Sequence, residues 1–177
     1  MTVAAETVLI AGVGNELLGD EGIGIHVVRS LAAGMSLPGH AEVVEAGTAL
    51  LDLVPEMARH SRVFLIDAIR AGGEPGTVYR LDIPAGSLLH MESASPVSLH
   101  QWTILETLRT AEMLGLLPQR LTVIGAEPEV VEPRLELSPR LGKAAGRIVA
   151  MLLDEARLGF VMGTKVSIVG DADHLEW

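Results

Sequence analysis

Two adjacent acids, Asp20 and Glu21, stand where an apolar strand and a glycine-rich turn give way to a helix. Residues 8–24 read Val-Leu-Ile-Ala-Gly-Val-Gly-Asn-Glu-Leu-Leu-Gly-Asp-Glu-Gly-Ile-Gly. A helix start after such a turn commonly binds phosphate, but a phosphate requires that place to be free of negative charge. Two carboxylates there suit a cation better, so the stretch poses a choice between nucleotide and metal chemistry.

Two further side chains of ligand type are predicted near Glu21. Asp67 closes the third predicted strand, and His100 falls in the first turn of the helix after a long loop. Ligands of α/β sheets collect beyond the carboxyl ends of the strands. Two carboxylates and one imidazole would give a divalent transition ion an incomplete coordination sphere, with positions open for water or substrate.

Each of the three residues also has a simpler interpretation. Glu21 could be a helix-start acid favoured by the helix dipole, Asp67 a turn cap, and His100 a surface residue. Between the two adjacent acids, we predict that Glu21 contacts metal and that Asp20 caps the helix. The other histidines, at positions 26, 40, 60, 90 and 174, are interpreted as structural.

A dinucleotide-binding fold is the rival interpretation of the opening turn. Gly12 and Gly14 begin the Gly-x-Gly-x-x-Gly fingerprint, but its third glycine is replaced by Leu17. Glu45, at the end of the second predicted strand, could serve as the ribose-binding acid. Acids nevertheless crowd the place of the pyrophosphate, so a nucleotide-binding oxidoreductase is the less favoured alternative.

Composition excludes several other functions. The 177 residues are 49% apolar and 20% charged, as expected for one globular domain. A net charge of −10 without a basic stripe argues against nucleic acid. No apolar run approaches the roughly 20 residues of a membrane span and no signal peptide is evident, so we expect a cytoplasmic protein. The absence of cysteine excludes a cysteine peptidase, and no familiar nucleophile motif is present.

The elements that must position the candidate residues alternate between strand and helix. Strands are predicted at 7–13, 41–46, 62–67 and 121–125, and helices are predicted to begin at Asp20, Thr48, Ser98 and Ser138. The link 70–76 is too short for a crossover helix, so strand 77–82 should run antiparallel. The predicted fold is an α/β/α three-layer sandwich with a mostly parallel five-stranded sheet. Residues 1–159 form the predicted domain, and 160–177 a tail of unknown structure.

A set of short motifs extends along most of this framework. They are Gly12-Val13-Gly14-Asn15 with Leu17-Leu18, Asp20-Glu21 and Ile23-Gly24; Glu45-Ala46-Gly47-Thr48; Ile66-Asp67-Ala68; Pro75-Gly76-Thr77; Ser98-Leu99-His100-Gln101; Gly125-Ala126-Glu127-Pro128; and Leu137-Ser138-Pro139. In this order, over about residues 7–155, they closely resemble the nickel–iron hydrogenase maturation endopeptidases.

The resemblance implies a specific activity. Members of that family remove a C-terminal extension from the precursor of the hydrogenase large subunit after nickel insertion, and their metal-contacting residues fall on Glu21, Asp67 and His100. It implies that the nickel is carried by the substrate and that the fold has one antiparallel strand. Because the acids of the opening turn disfavour a pyrophosphate, we expect no nucleotide cofactor. A non-proteolytic nickel-binding or escort module using the same residues is the alternative.

Two features depart from the family pattern. Glu45 and Ala46 replace the more usual Asp and Gly of the second motif, which predicts an altered loop or partner preference. Residues 160–177 do not align with the family pattern.

Overall fold

The computed structural model describes residues 7–34, 37, 40–88 and 99–157, with the side chains of residues 99–103 outside that description. The predicted tail at 160–177, the Ser98 capping box and most of the connection 84–97 therefore lie outside the described residues. The boundary of the predicted domain at residue 159 stays a prediction for the same reason.

Five strands and four α-helices make up the described part of the chain. In chain order they are β1 (Val8–Val13), α1 (Ile23–Gly34), β2 (Ala41–Gly47), α2 (Leu50–Met57), β3 (Arg62–Ala68), β4 (Val78–Ile83), α3 (Leu99–Met113), β5 (Arg120–Ala126) and α4 (Pro139–Arg157). A short 3₁₀ helix, Gly19–Gly22, precedes α1. The predicted alternation of strands and helices is confirmed, with boundaries shifted by one to three residues.

The strands form a single sheet in the order β2-β1-β3-β5-β4. β1 pairs in parallel with β2 and β3, β3 pairs in parallel with β5, and β4 is antiparallel to β5. β3 is central and every one of its residues is buried, as its unbroken apolar run predicted. The strand order reverses between β1 and β3, and such a switch point opens a crevice at the carboxyl ends of the strands.

Helices cover both faces of the sheet. One apolar cluster joins α1 and α4 to Val8, Ile10, Phe64, Ile66 and Ile124, while the other joins α2 and α3 to Leu9, Ala11, Val63, Leu65 and Leu121. Consecutive strand residues therefore enter opposite layers, which is the period of two expected of a sheet buried on both sides. The predicted three-layer α/β/α sandwich with one antiparallel strand is confirmed.

The helix starts test the capping predictions. Ser138 caps α4 as predicted, because its Oγ accepts a hydrogen bond from the Leu141 N–H at 3.3 Å. The prediction that Thr48 caps α2 is wrong, since that helix begins at Leu50 after Ala49 and no side chain caps it. Thr48 lies one residue before the N-cap position, which Ala49 occupies.

Within the part of the chain that the structure describes, no helix has both the length and the hydropathy that crossing a bilayer requires.

Candidate active site

The turn after β1 brings the backbone of Glu21 and the side chain of Asp67 against the same glycine, Gly14. Glu21 lies in the 3₁₀ helix and Asp67 is the penultimate residue of β3. Gly14, with φ of +120°, lies against both: a Cβ there would be 2.0 Å from the Glu21 carbonyl oxygen and 3.3 Å from Asp67 Oδ1. Only glycine accepts this backbone conformation and this contact, so Gly14 allows the backbone of Glu21 to pack close to the side chain of Asp67.

The start of α1 is pressed against the ends of the two strands. A Cβ on Gly24 would lie 2.2 Å from the carbonyl oxygens of both Val13 and Ile66. A residue with any side chain would push the helix away from the sheet. The glycines therefore hold the segment that carries Glu21 over the crevice between β1 and β3.

The two acids differ in their exposure to solvent. Asp67 is 3% exposed, whereas the side chain of Glu21 is 19% exposed. Arg70, in the loop that follows β3, places Nη2 3.9 Å from Glu21 Oε1. The crevice thus has an enclosed carboxylate, a more accessible carboxylate and a cation beside it. Sequence reasoning missed Arg70, although its position three residues after Asp67 was a usable signal.

His100 lies in the first turn of α3, but its side chain lies outside the described residues. α3 leads into the start of β5, so it runs back along the sheet with its first turn toward the carboxyl edge. Its 15 residues extend about 22 Å, which is close to the length of the seven-residue strand β5. The backbone therefore suits the predicted ligand set, while the contact of His100 with Glu21 and Asp67 stays a prediction.

The prediction that Asp20 caps the helix is wrong, because its side chain binds another part of the chain. Its side chain is fully buried and accepts four hydrogen bonds, from the backbone N–H groups of Glu129, Val130 and Ser138 and from Ser138 Oγ, at 2.7–2.9 Å. These donors lie on the connection between β5 and α4. A carboxylate that accepts this many donors fastens that connection to the turn bearing Glu21, so Asp20 supports the site without facing it.

Glu127 fixes the loop on the other side of the crevice. Its Oε2 accepts hydrogen bonds from the Ala71 and Gly73 N–H groups and from the Tyr79 hydroxyl, at 2.8–3.2 Å. These contacts hold the segment that carries Arg70. Burial and the bond to Glu127 raise the pKa of Tyr79 to about 12. Although Glu127 belongs to one of the motifs above, nothing in the sequence showed that its carboxylate would turn toward this loop.

Glu45 is engaged away from the two candidate acids. Arg29 donates to both of its carboxylate oxygens at 2.9 and 2.8 Å, and also to Glu16 at 2.5 and 3.2 Å. The hydrogen bonds from Arg29 hold the pKa of Glu16 below its usual range, and the two acids raise the pKa of Arg29. Glu45, the residue that departs from the family motif, therefore forms an ion pair that ties β2 to α1.

Comparison with known proteins identifies relatives of this chain. The sequence model of the hydrogenase maturation protease family matches residues 25–155. The Escherichia coli (strain K12) hydrogenase 2 maturation protease is 35% identical over 136 residues, which cover 75% of this chain and 79% of that protein. The hydrogenase expression/formation protein HupD of Rhodobacter capsulatus is 34% identical over 72% of this chain, and the match spans only 60% of its own length.

Solved structures give the same result. The E. coli hydrogenase maturating endopeptidase HybD superimposes with a TM-score of 0.75 at 30% identity, covering 86% of this chain and 93% of that one. The [NiFe] hydrogenase maturation protease HybD from Thermococcus kodakarensis gives a TM-score of 0.69 at 25% identity, covering 85% and 99%. The chain belongs to the hydrogenase maturation protease family.

Proposed function

We propose that this protein is an endopeptidase that removes the C-terminal extension from the precursor of a nickel–iron hydrogenase large subunit. The observation that carries the proposal is that Gly14, at the switch point of the sheet, packs against both the backbone of Glu21 and the side chain of Asp67. The names of the relatives as maturation proteases support the same activity.

The chemistry of the crevice fits a metal-bearing substrate. Carboxylate oxygens bind divalent cations, and an imidazole from His100 would add the nitrogen that nickel prefers. The chain has no cysteine, and a serine nucleophile motif is missing from its sequence. Glu21 and Asp67 therefore recognise the nickel held by the precursor, and that nickel is substrate rather than a resident cofactor of the protease.

Hydrolysis then requires water, a polarised carbonyl and a protonated leaving group. The water oxygen adds to the scissile carbonyl carbon, the C–N bond breaks, and the leaving amine takes a proton. A divalent metal held near the peptide polarises the carbonyl and favours hydroxide at neutral pH. Glu21, the more accessible acid, accepts the proton of the attacking water. The enclosed Asp67 binds the nickel of the substrate.

The proposal makes the metal a checkpoint for processing. A precursor without nickel offers the two carboxylates no cation, and the like charges of the site then disfavour an electron-rich peptide carbonyl. Premature cleavage is thereby avoided without a separate inhibitory segment. We place this reaction in the cytoplasm, with no nucleotide, nucleic acid or membrane taking part.

Mass spectrometry of the products tests the proposed activity. A nickel-loaded large-subunit precursor is incubated with wild-type protein, with Glu21→Gln or with Asp67→Asn. We expect the wild type to yield a shortened large subunit and a released C-terminal peptide. Each variant should yield neither, because one of the two carboxylates is lost while the size of the side chain is kept.

The same experiment separates the alternative function. An escort module would bind the nickel-loaded precursor or accept its metal, and the precursor mass would remain that of the full-length chain with every variant. Glu74→Gln is the matched control, because Glu74 is an exposed acid in the loop beyond Arg70. Loss of cleavage in this control as well would mean that general charge, rather than the paired acids, governs processing.

A further inference from the structure

Two acids and a histidine meet at the edge of the sheet opposite to the candidate active site. Glu42 is the second residue of β2, Glu56 lies in the last turn of α2, and His60 lies in the link to β3. One ligand atom from each lies within 4.8 Å of the others. Glu42 is paired with Leu9 near the start of β1, whereas Gly14 follows the end of that strand. The acid–histidine cluster of Glu42, Glu56 and His60 is therefore separate from the crevice.

The imidazole of His60 is held in one orientation. Its side chain is 9% exposed, and Nδ1 lies 2.9 Å from the backbone carbonyl oxygen of Glu56. A carbonyl oxygen only accepts hydrogen bonds, so Nδ1 carries a proton and Nε2 is the nitrogen left to bind a metal ion. Metal-binding histidines characteristically have their second nitrogen tied to a carbonyl in this way.

Nε2 of His60 faces a carboxylate. It lies 3.6 Å from Glu42 Oε2, beyond hydrogen-bond length, and it makes no hydrogen bond to any residue in the described ranges. A carboxylate oxygen facing this nitrogen requires a positive charge between the two atoms, either a proton on Nε2 or a metal ion. The separation also matches the roughly 3.4 Å between two ligand atoms on a tetrahedral ion with bonds of about 2.1 Å.

The second acid, Glu56, lies beside the Nδ1 side of the ring, with one ligand atom within 4.8 Å of the other two residues. Glu56 Oε1 lies 3.7 Å from Nδ1 of the same ring, and Oε2 accepts a hydrogen bond from Arg59 at 3.3 Å. Arg59 is strongly exposed, so its contact with Glu56 is a weak one. A divalent ion would therefore compete with Arg59 for Glu56 Oε2 alone, and this competition would be weak.

We propose that Glu42, Glu56 and His60 bind a divalent transition-metal ion of the Zn²⁺ type, with water filling the remaining positions. One nitrogen and two oxygen ligands suit such an ion. Because the cluster joins the start of β2, the end of α2 and the approach to β3, the ion fastens these elements together. It is a structural site, independent of the proposed peptidase reaction.

Calorimetric titration of the full chain with Zn²⁺ tests the proposal. Glu42→Gln is the main variant, because Glu42 is 56% exposed and its replacement leaves the core unchanged. We expect it to weaken one Zn²⁺ site by about tenfold or more. Asp52→Asn is the matched control, since it removes an exposed acid from the same helix as Glu56 and should leave that site unchanged. Any Zn²⁺ bound elsewhere should bind equally to the wild type, Glu42→Gln and Asp52→Asn, so it does not affect the comparison.

Nitrogen NMR of the imidazole identifies the ligand directly. On addition of Zn²⁺, the Nε2 resonance of His60 should move while Nδ1 keeps its proton. Equal Zn²⁺ affinity in wild type and Glu42→Gln would overturn the proposal. So would a His60 ring that carries protons on both nitrogens in the presence of Zn²⁺, because a proton would then replace the metal as the bridging cation.

Discussion

Replacing Asp20 by Asn should destabilise the protein far more than replacing its neighbour Glu21 by Gln. Asp20 is fully buried and its carboxylate accepts hydrogen bonds from three backbone N–H groups and one hydroxyl. An asparagine can keep its oxygen at the position of Oδ2, where three of the donors converge. Its NH₂ group then faces the Ser138 N–H, which lies 2.7 Å from Oδ1 in the wild type.

The expected loss follows from that geometry. One charge-assisted hydrogen bond contributes about 1.5–3 kcal/mol, and a buried donor left unsatisfied costs about 1–3 kcal/mol. These terms overlap, so we expect the free energy of unfolding to fall by about 3 kcal/mol. That is a large part of the roughly 5–15 kcal/mol typical of a folded domain. With a urea slope of about 2 kcal/mol per molar, the unfolding midpoint should fall by about 1.5 M.

Urea unfolding of Asp20→Asn and Glu21→Gln, side by side, measures this difference. Glu21 is partly exposed and its ion pair with Arg70 is long, so its replacement should cost less than about 1 kcal/mol. Glu21→Gln should therefore be stable yet inactive toward the precursor. Equal midpoints for the two variants, or a loss below about 0.5 kcal/mol in Asp20→Asn, would refute the structural role assigned to Asp20.

Two further predictions concern the surroundings of the site. The chain has one tyrosine, so ultraviolet titration of the folded protein should give Tyr79 a midpoint of about 12, which moves toward 10 in Glu127→Gln. Since burial and the contact with Glu127 raise the folded pKa of Tyr79, the stability linked to its protonated form is complete below pH 10 and is lost as the pH rises to about 12. A midpoint of 10 in the wild type would contradict this prediction. Gly14→Ala should abolish precursor processing because its Cβ would displace Glu21, whereas Gly72→Ala, which also has positive φ but open space around it, should process normally in the same mass assay. Wild-type processing by Gly14→Ala would contradict the account.

The sheet could be predicted from local sequence because its signals are local. The apolar runs of β1 and β3 mark strands buried on both faces. The short link before β4 excludes a crossover helix and so fixes the antiparallel direction. The strand ends then place Glu21 and Asp67 at one edge without further information.

The roles of individual acids could not be predicted because they depend on distant partners. Asp20 and Glu21 are neighbours of similar chemistry, and the donors that bury Asp20 lie 109–118 residues further along the chain. Glu127 reaches a loop more than 50 residues away. His60, interpreted from sequence as structural, meets Glu42 only because β2 and α2 pack together. No pattern within a short window reports such contacts.

The rate of peptide release from nickel-loaded and nickel-free precursor, measured with the same wild-type protein by mass spectrometry, tests the central claim most directly. If Glu21 and Asp67 recognise nickel carried by the substrate, the loaded precursor is cleaved and the nickel-free precursor remains full length over the same time. Cleavage of both precursors at the same rate would contradict the account, because the paired acids would then act without the metal.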